Sequence, residues 1–233
     1  MRMDEVEAQP ARMRLGMSRT KPALFGAVAA IALLAGSPSW AAQQAPMLDE
    51  MVESGALPPV DERLPANPLV VEPVESVGVY GGTWRSALRG GLDNAWIGRT
   101  VAYDGLVRYD REWKEIIPNL AESWEVSEDA RTYTFHLREG LKWSNGTPFT
   151  SADIEFAVQL LKEPSYEPGY FVKNPRNPVN VEVVDDTTFR LVFDNPNGTI
   201  MDELASINGL TIVSLNKEYC GQFYPKTNPN AAE

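Results

Sequence analysis

The sequence holds one cysteine, Cys220, and one histidine, His136, in 233 residues. A lone thiol cannot close an internal disulfide, so stability must come from a buried core. A Cys–His nucleophilic pair would need both residues, but they are far apart in sequence and His136 sits within a strand pattern. Metal sites built from His and Cys need three or four ligands at tight spacing, and these are absent. "DERLPANP" and "DNPNGT" do not follow the twelve-residue calcium loop. "GVYGGTW" lacks the Gly-Lys-Ser/Thr of a phosphate-binding loop. Positive charge is scarce too: 21 Lys and Arg against 32 Asp and Glu leave a net charge of −11. Such a balance argues against nucleic acid and anionic lipid surfaces as partners. A carboxylate pair of the kind that cleaves glycosides stays open among so many acids, but no spacing singles one out.

Long hydrophobic runs are missing as well. The uncharged stretch "ALFGAVAAIALLA", Ala23 to Ala35, has thirteen residues, too few to cross a hydrocarbon core of about 30 Å. Arg12, Arg14, Arg19 and Lys21 precede it, and "GSPSWAAQ" follows, with the small residues Ser39 and Ala41 two apart. This is the layout of a secretory signal, cleaved between Ala41 and Ala42. Asp4, Glu5 and Glu7 ahead of the basic region are out of place in an export signal, and a start at Met13 or Met17 would remove them. The cleavage region has no cysteine to carry a lipid, so the exported product is expected to be soluble rather than membrane-anchored. Its 192 residues would carry 16 basic and 29 acidic side chains, a net charge of −13.

From Ala42 to residue 77 the chain is rich in proline and acid. "MLDEMVESGAL" suits a short helix, and Pro58, Pro59, Pro65, Pro68 and Pro73 argue against regular structure beyond it. This leader either wraps the surface or is disordered. "GTWRSALRG", residues 82–90, reads as the first strand, between Gly81-Gly82 and Gly90-Gly91. A short helix ending by Gly105 follows. Trp124 and Val126, then Tyr133, Phe135 and Leu137, alternate around the turn "SEDART" and predict a hairpin. Asn145-Gly146 is a tight-turn dipeptide. Thr150 with Asp153 predicts a helix start, and Ile154, Ala157, Val158 and Leu161 form its apolar stripe. Val179, Val181, Val183 and Phe189, Leu191, Phe193 predict a second hairpin around Asp185-Asp186. "NGTIMDELASINGLTIVS" reads as a helix running into a short strand. Trp84, Trp113, Trp124 and Trp143 are assigned to the core and Trp40 to the signal. Trp96 stands apart in a glycine-flanked region beside Asp93 and Asn94. Ligands approach the carboxyl ends of strands in α/β folds, where an indole offers an apolar plate with one polar handle.

"PNLAESWEVSEDARTYTFHLREGLKWSNGTPFTSADIEFAV" resembles the signature region of the bacterial extracellular solute-binding proteins, family 5. These are oligopeptide-, dipeptide- and nickel-type periplasmic binding proteins of ABC importers. "LAESW", "YTFHLR", "GLKWSNG" and "PFTSAD" occur in the family's order. "VNVEVVDDTTFRLVF" and "SLNKEYCGQFYP" resemble the segments that follow, so the likeness covers roughly residues 78–228. Asn145 stands where the family usually has Asp, and Asn suits a turn that needs positive φ.

The resemblance implies a mixed α/β, type II periplasmic-binding-protein-like fold. Residues 1–41 would be the signal, 42–77 the leader, and 78–233 an N-terminal lobe with a hairpin-rich subdomain. Family members are typically more than twice as long, so the chain reads as an N-terminal fragment whose second lobe is missing. The implied function is non-enzymatic: binding a peptide or similar small solute in the periplasm for the permease subunits of an importer. No cofactor, metal or nucleic acid is implied. The alternatives are an orphan lobe without solute binding, or an exported glycoside-acting enzyme. In the resembling family the loop after the first strand lines the cleft; here it is "GGLDNAWIGR", which makes Asn94 and Trp96 ligand candidates. Asn208, just before the short strand expected after the last helix, is a third. The acidic balance favours cationic or zwitterionic cargo. Mature protein is expected to begin AQQAPM, at Ala42, which intact-mass measurement checks; retention of the hydrophobic segment would overturn the export reading.

Overall fold

Alternating apolar residues with short polar turns organise the middle of the chain. The computed structural model describes residues 44–101, 104–166 and 171–231; the expected export signal and its expected cleavage site lie outside the described residues. The leader carries α1 (Asp49–Glu53) and α2 (Val60–Arg63). Next come α3 (Asn94–Val101) and a small antiparallel pair, β1 (Val107–Tyr109) with β2 (Ile116–Pro118). The two predicted hairpins are β3 (Ala121–Val126) with β4 (Thr132–Leu137), and β5 (Val179–Val183) with β6 (Thr188–Phe193). Between them runs α4 (Ser151–Leu161), and α5 (Ile200–Leu204) and α6 (Lys217–Cys220) complete the set. Among the described residues no helix is long and apolar enough to cross a membrane.

The hairpins do not stand separately. β4 pairs with β6, which gives one four-stranded antiparallel sheet in the order β3-β4-β6-β5. This register sets Phe135 opposite Phe189 and Tyr133 opposite Leu191. Strand side chains alternate between faces, and one face of the two central strands is fully apolar. Tyr133, Phe135, Leu137, Phe189, Leu191 and Phe193 are all buried there. The Phe135 and Phe189 rings stack with centroids 5.4 Å apart. Ile154, Ala157, Val158 and Leu161 of α4 join the same core, as the helical stripe predicts. Phe156 and Leu160 leave α4 on another side and pack against Tyr224, which the stripe alone does not reveal.

Carboxylates shape both hairpin turns. Asp185 Oδ1 accepts the backbone N–H groups of Thr187 and Thr188 at 2.8 and 2.7 Å. At the other turn Ser127 Oγ donates to Asp129 Oδ1 at 2.6 Å and accepts from Thr132 N–H at 2.9 Å. The start of α4 is held as the Thr150–Asp153 spacing suggests, with Thr150 N–H donating to Asp153 Oδ2 at 2.8 Å. Ser151 N–H donates to Asp186 O at 2.9 Å, so the helix start is also tied to the second turn.

The leader lies beside the segment that follows β4. Ala66 N–H donates to Glu139 O at 2.9 Å. Arg138, 7% exposed, donates from Nε to Asn119 O and from Nη1 to Asn67 O, each at 2.6 Å. A buried guanidinium is costly unless its donors are met, and here one acceptor comes from the body and one from the leader. Lys142 Nζ donates to Glu62 O.

Four expectations need correction. Residues 82–88 form no strand, because no other segment among the described residues pairs with them, and isolated strands are not stable. α2 forms despite the prolines, since Pro58 and Pro59 precede its first turn, where proline's missing N–H is no loss. The stretch after α5 is a 3-10 helix, Ile207–Ile212, rather than a strand. Trp84 and Trp113 are 66% and 72% exposed rather than core. Trp113 takes a positive φ of 58° and stacks on Tyr109. Truncating Phe189 to Ala would remove the stacked centre of the sheet, and urea unfolding is expected to show a loss of about 3–5 kcal/mol.

Candidate ligand-binding surface

A tight loop sets up α3. Asp93 N–H donates to Gly90 O at 3.0 Å, and Asp93 Oδ2 accepts Arg89 N–H at 2.7 Å. This closes the glycine-flanked turn and aims the helix that carries Trp96. Asn94 is the first residue of α3; its side chain lies outside the described residues. Trp96 is 41% exposed. Its ring meets that of Trp84, with centroids 5.6 Å apart and planes at 55°. The result is an exposed pair of indoles beside the apolar side chains of Ile97 and Val101, which are exposed too. Sequence reasoning placed Trp84 in the core and so missed it as a partner of Trp96. The signal available was its position two residues past Gly81-Gly82, at the start of an alternating segment.

Asn208 lies on a different element. Ser206 caps the 3-10 helix with its Oγ, which accepts Asn208 N–H at 3.2 Å, and Thr211 Oγ1 donates to Asn208 O at 2.8 Å. Asn208 is half-buried, and no recorded contact joins it to the indole pair. The strand-end argument for Asn208 fails because no strand follows it. The turn around it is fixed by a close approach: a Cβ at Gly209 would sit 2.1 Å from Leu204 O. Next to this turn, burial raises the Glu203 carboxyl above its ordinary range.

Three cavities border the leader, and none of them includes Asn94, Trp96 or Asn208. One, about 480 Å³, lies between Leu69–Glu72 and the β1–β2 hairpin. Another, about 570 Å³, lies between residues 56–58 and the turn of Trp143, Asn145 and Gly146. Trp143 is partly buried against Phe149, and its Nε1 is enclosed without a hydrogen-bond partner. The third, about 470 Å³, has His136, Glu122 and Glu139 in its wall. His136 is half-exposed, as read from its strand, with Nδ1 3.4 Å from Thr188 Oγ1. Among the described residues no three His, Cys, Asp or Glu side chains gather as a metal site would require. The surface thus offers apolar plates, amides and clefts, the chemistry of reversible binding.

Residues 115–230 match the model of the bacterial extracellular solute-binding proteins, family 5 Middle, and the chain belongs to that family. A solved oligopeptide-binding protein OppA is 40% identical, with a TM-score of 0.67 over 79% of this chain and 29% of its own. The fold is therefore that of the type II periplasmic binding proteins. Among curated relatives, the periplasmic alpha-galactoside-binding protein of Rhizobium meliloti is 38% identical over 46% of this chain and 18% of its own length. The dipeptide-binding protein of Escherichia coli is 35% identical over 44% of this chain and 22% of its own. The chain thus spans about a fifth of the length of these curated relatives. Family members are solute-binding proteins rather than enzymes. Gly209→Ala is expected to lower stability by about 1–3 kcal/mol through overpacking against Leu204, measured by thermal or urea unfolding.

Proposed function

We propose that this chain is the N-terminal lobe, residues 78–233, of a periplasmic substrate-binding component of an ABC importer. An export signal at 1–41 and a leader at 42–77 precede the lobe. The cargo is a peptide or a similar small solute, handed to membrane permease subunits without chemical change. The observation that carries this reading is the family match over residues 115–230. The 40% identity to an oligopeptide-binding protein supports a peptide as the default cargo. The alpha-galactoside-binding relative makes a sugar the competing cargo within the same class.

Trp96 covers an apolar group of the solute, and Asn94 exchanges hydrogen bonds with its backbone-like amides. The exposed Trp84–Trp96 pair supports the first of these roles. These residues supply one side of a cleft that closes on its solute, so affinity in the chain by itself is weak. An orphan lobe that binds no solute is the second reading, favoured by the finding that the three cavities bordering the leader include none of Asn94, Trp96 and Asn208.

Calorimetric titration with mixed di- and tripeptides, and separately with an α-galactoside, tests the proposal. Peptide binding near 1 mM, about −4 kcal/mol, that weakens in Trp96→Ala is the expected result. Absence of heat with every solute would favour the orphan lobe, and release of a reaction product would overturn the binding reading altogether.

A further inference from the structure

Three Asn-Gly pairs occur in the chain: Asn145-Gly146, Asn197-Gly198 and Asn208-Gly209. In such a pair the glycine nitrogen can attack the side-chain amide carbon of the asparagine, because glycine has no Cβ to shield that nitrogen. The peptide unit between the two residues must first rotate to bring nitrogen and carbon together. The hydrogen bonds of that unit therefore decide which pair reacts.

At Asn208 the unit is locked at both ends. Asn208 O accepts the Thr211 hydroxyl at 2.8 Å, and Gly209 N–H donates to Ser206 O at 3.0 Å. Gly209 is also buried, with Leu204 O in the way of any movement. At Asn197 the carbonyl is held by the Tyr133 hydroxyl at 2.6 Å, and Asn197 N–H donates to Ala130 O at 2.9 Å. Tyr133 itself is fixed in the core.

Asn145 is the loosest of the three. Asn145 and Gly146 are exposed, and the main-chain N–H and C=O of Asn145 make no hydrogen bond among the described residues. A Cβ built at Gly146 meets no atom within 4 Å. One bond, from Gly146 N–H to Trp143 O at 2.9 Å, has to open before the unit turns. The side chain is already folded forward over Gly146: its Oδ1 accepts the Thr147 N–H at 3.1 Å and the Thr147 hydroxyl at 2.7 Å. Two donors on that oxygen polarise the amide carbon and stabilise the oxyanion formed on attack.

We propose that Asn145 is a site of spontaneous deamidation. The Gly146 nitrogen gives up its proton and bonds to Asn145 Cγ. The Cγ–Nδ2 bond breaks, and ammonia leaves with the proton returned by solvent. Water then adds to one of the two ring carbonyls and reopens the ring, leaving aspartate or its β-linked isomer. The aspartate suits the turn, since Asp185 Oδ1 accepts the Thr187 N–H and hydroxyl in the same way, at 2.8 and 3.0 Å. Asn145 shares a cavity wall with Glu62, Arg63 and Lys142. Two cations and one carboxylate line that wall, so the new carboxylate balances its charge where leader and body meet. The proposal does not depend on the cargo.

Incubation of the full chain in heavy-oxygen water, followed by tryptic digestion in ordinary water, tests it. Only residues converted before digestion carry the label. Cleavage after Lys142 and Lys162 releases residues 143–162, in which Asn145 is the sole asparagine. In the folded chain, label at 145 is expected to accumulate at least about fivefold faster than at 197 or 208, whose peptide units must break free of more partners. In urea the three rates should converge, because the fold no longer distinguishes them. Thr147→Ser keeps both donors and should keep the rate, whereas Thr147→Val, checked for an unchanged circular dichroism spectrum, should lower it. Asn145→Asp should unfold in urea at the same midpoint as the unmodified chain. Label that appears at 145 in urea but not in the folded chain overturns the proposal. So does conversion at 197 or 208 as fast as at 145 in the folded chain.

Discussion

The pairing of β4 with β6 is the contact on which the rest of this structure depends. Each hairpin by itself would be a two-stranded ribbon with one apolar face open to water, and such ribbons are marginal. Joined through β4 and β6, the strands set Phe135 against Phe189 and give α4 a continuous surface to cover. The pairing is long-range: β4 ends at Leu137 and β6 begins at Thr188, with α4 and a loop between them. The turn at Asp185 and Asp186 then holds the start of α4 through Ser151. Sheet, helix and turn thus fix one another, and α3 with Trp96 is not part of that set.

What the sequence made legible was local. Period-two alternation located both hairpins, and the Thr150–Asp153 spacing located the start of α4, because a hydrogen bond three residues away decides that start. Misreadings occurred where the deciding partner is distant or absent. Residues 82–90 alternate like a strand, but strand formation needs a neighbour, which no local pattern reports. Burial of Trp84 and Trp113 was inferred from residue type, yet burial depends on what else the chain brings to that spot. The stretch after Leu204 is apolar enough for a strand. The Ser206 cap and the close pass of Gly209 by Leu204 make it a 3-10 helix instead. Of the candidate site, Trp96 was legible through its glycine-flanked position, whereas its pairing with Trp84 was not.

The acidity of the chain also has a local use. Asp110, Asp129 and Asp185 each accept backbone or hydroxyl donors at a turn, and those bonds hold all three carboxyls below their ordinary range. For Asp110 the main donor is Lys114 N–H, for Asp129 the Ser127 hydroxyl, and for Asp185 the Thr187 N–H. A carboxyl whose folded-state pKa is depressed stabilises the fold above its unfolded value and loses that contribution as pH falls through the folded value. All three are exposed to solvent, so each effect is modest and screened by salt. Part of the negative charge therefore shapes turns, and the remainder is available to act at long range.

The leader is held by its own main chain. Asn67 and Glu62 offer carbonyl oxygens to the side chains of Arg138 and Lys142, and Ala66 offers its N–H to the main-chain oxygen of Glu139. Almost any residue can present a carbonyl, so substitutions along this stretch of leader leave the grip intact as long as the backbone keeps its path. From the other side a single change at Arg138 removes the hold on Asn67, the one made by a buried guanidinium. Sequence drift in related chains should accordingly be lopsided, with a variable strap fastened by an invariant buckle.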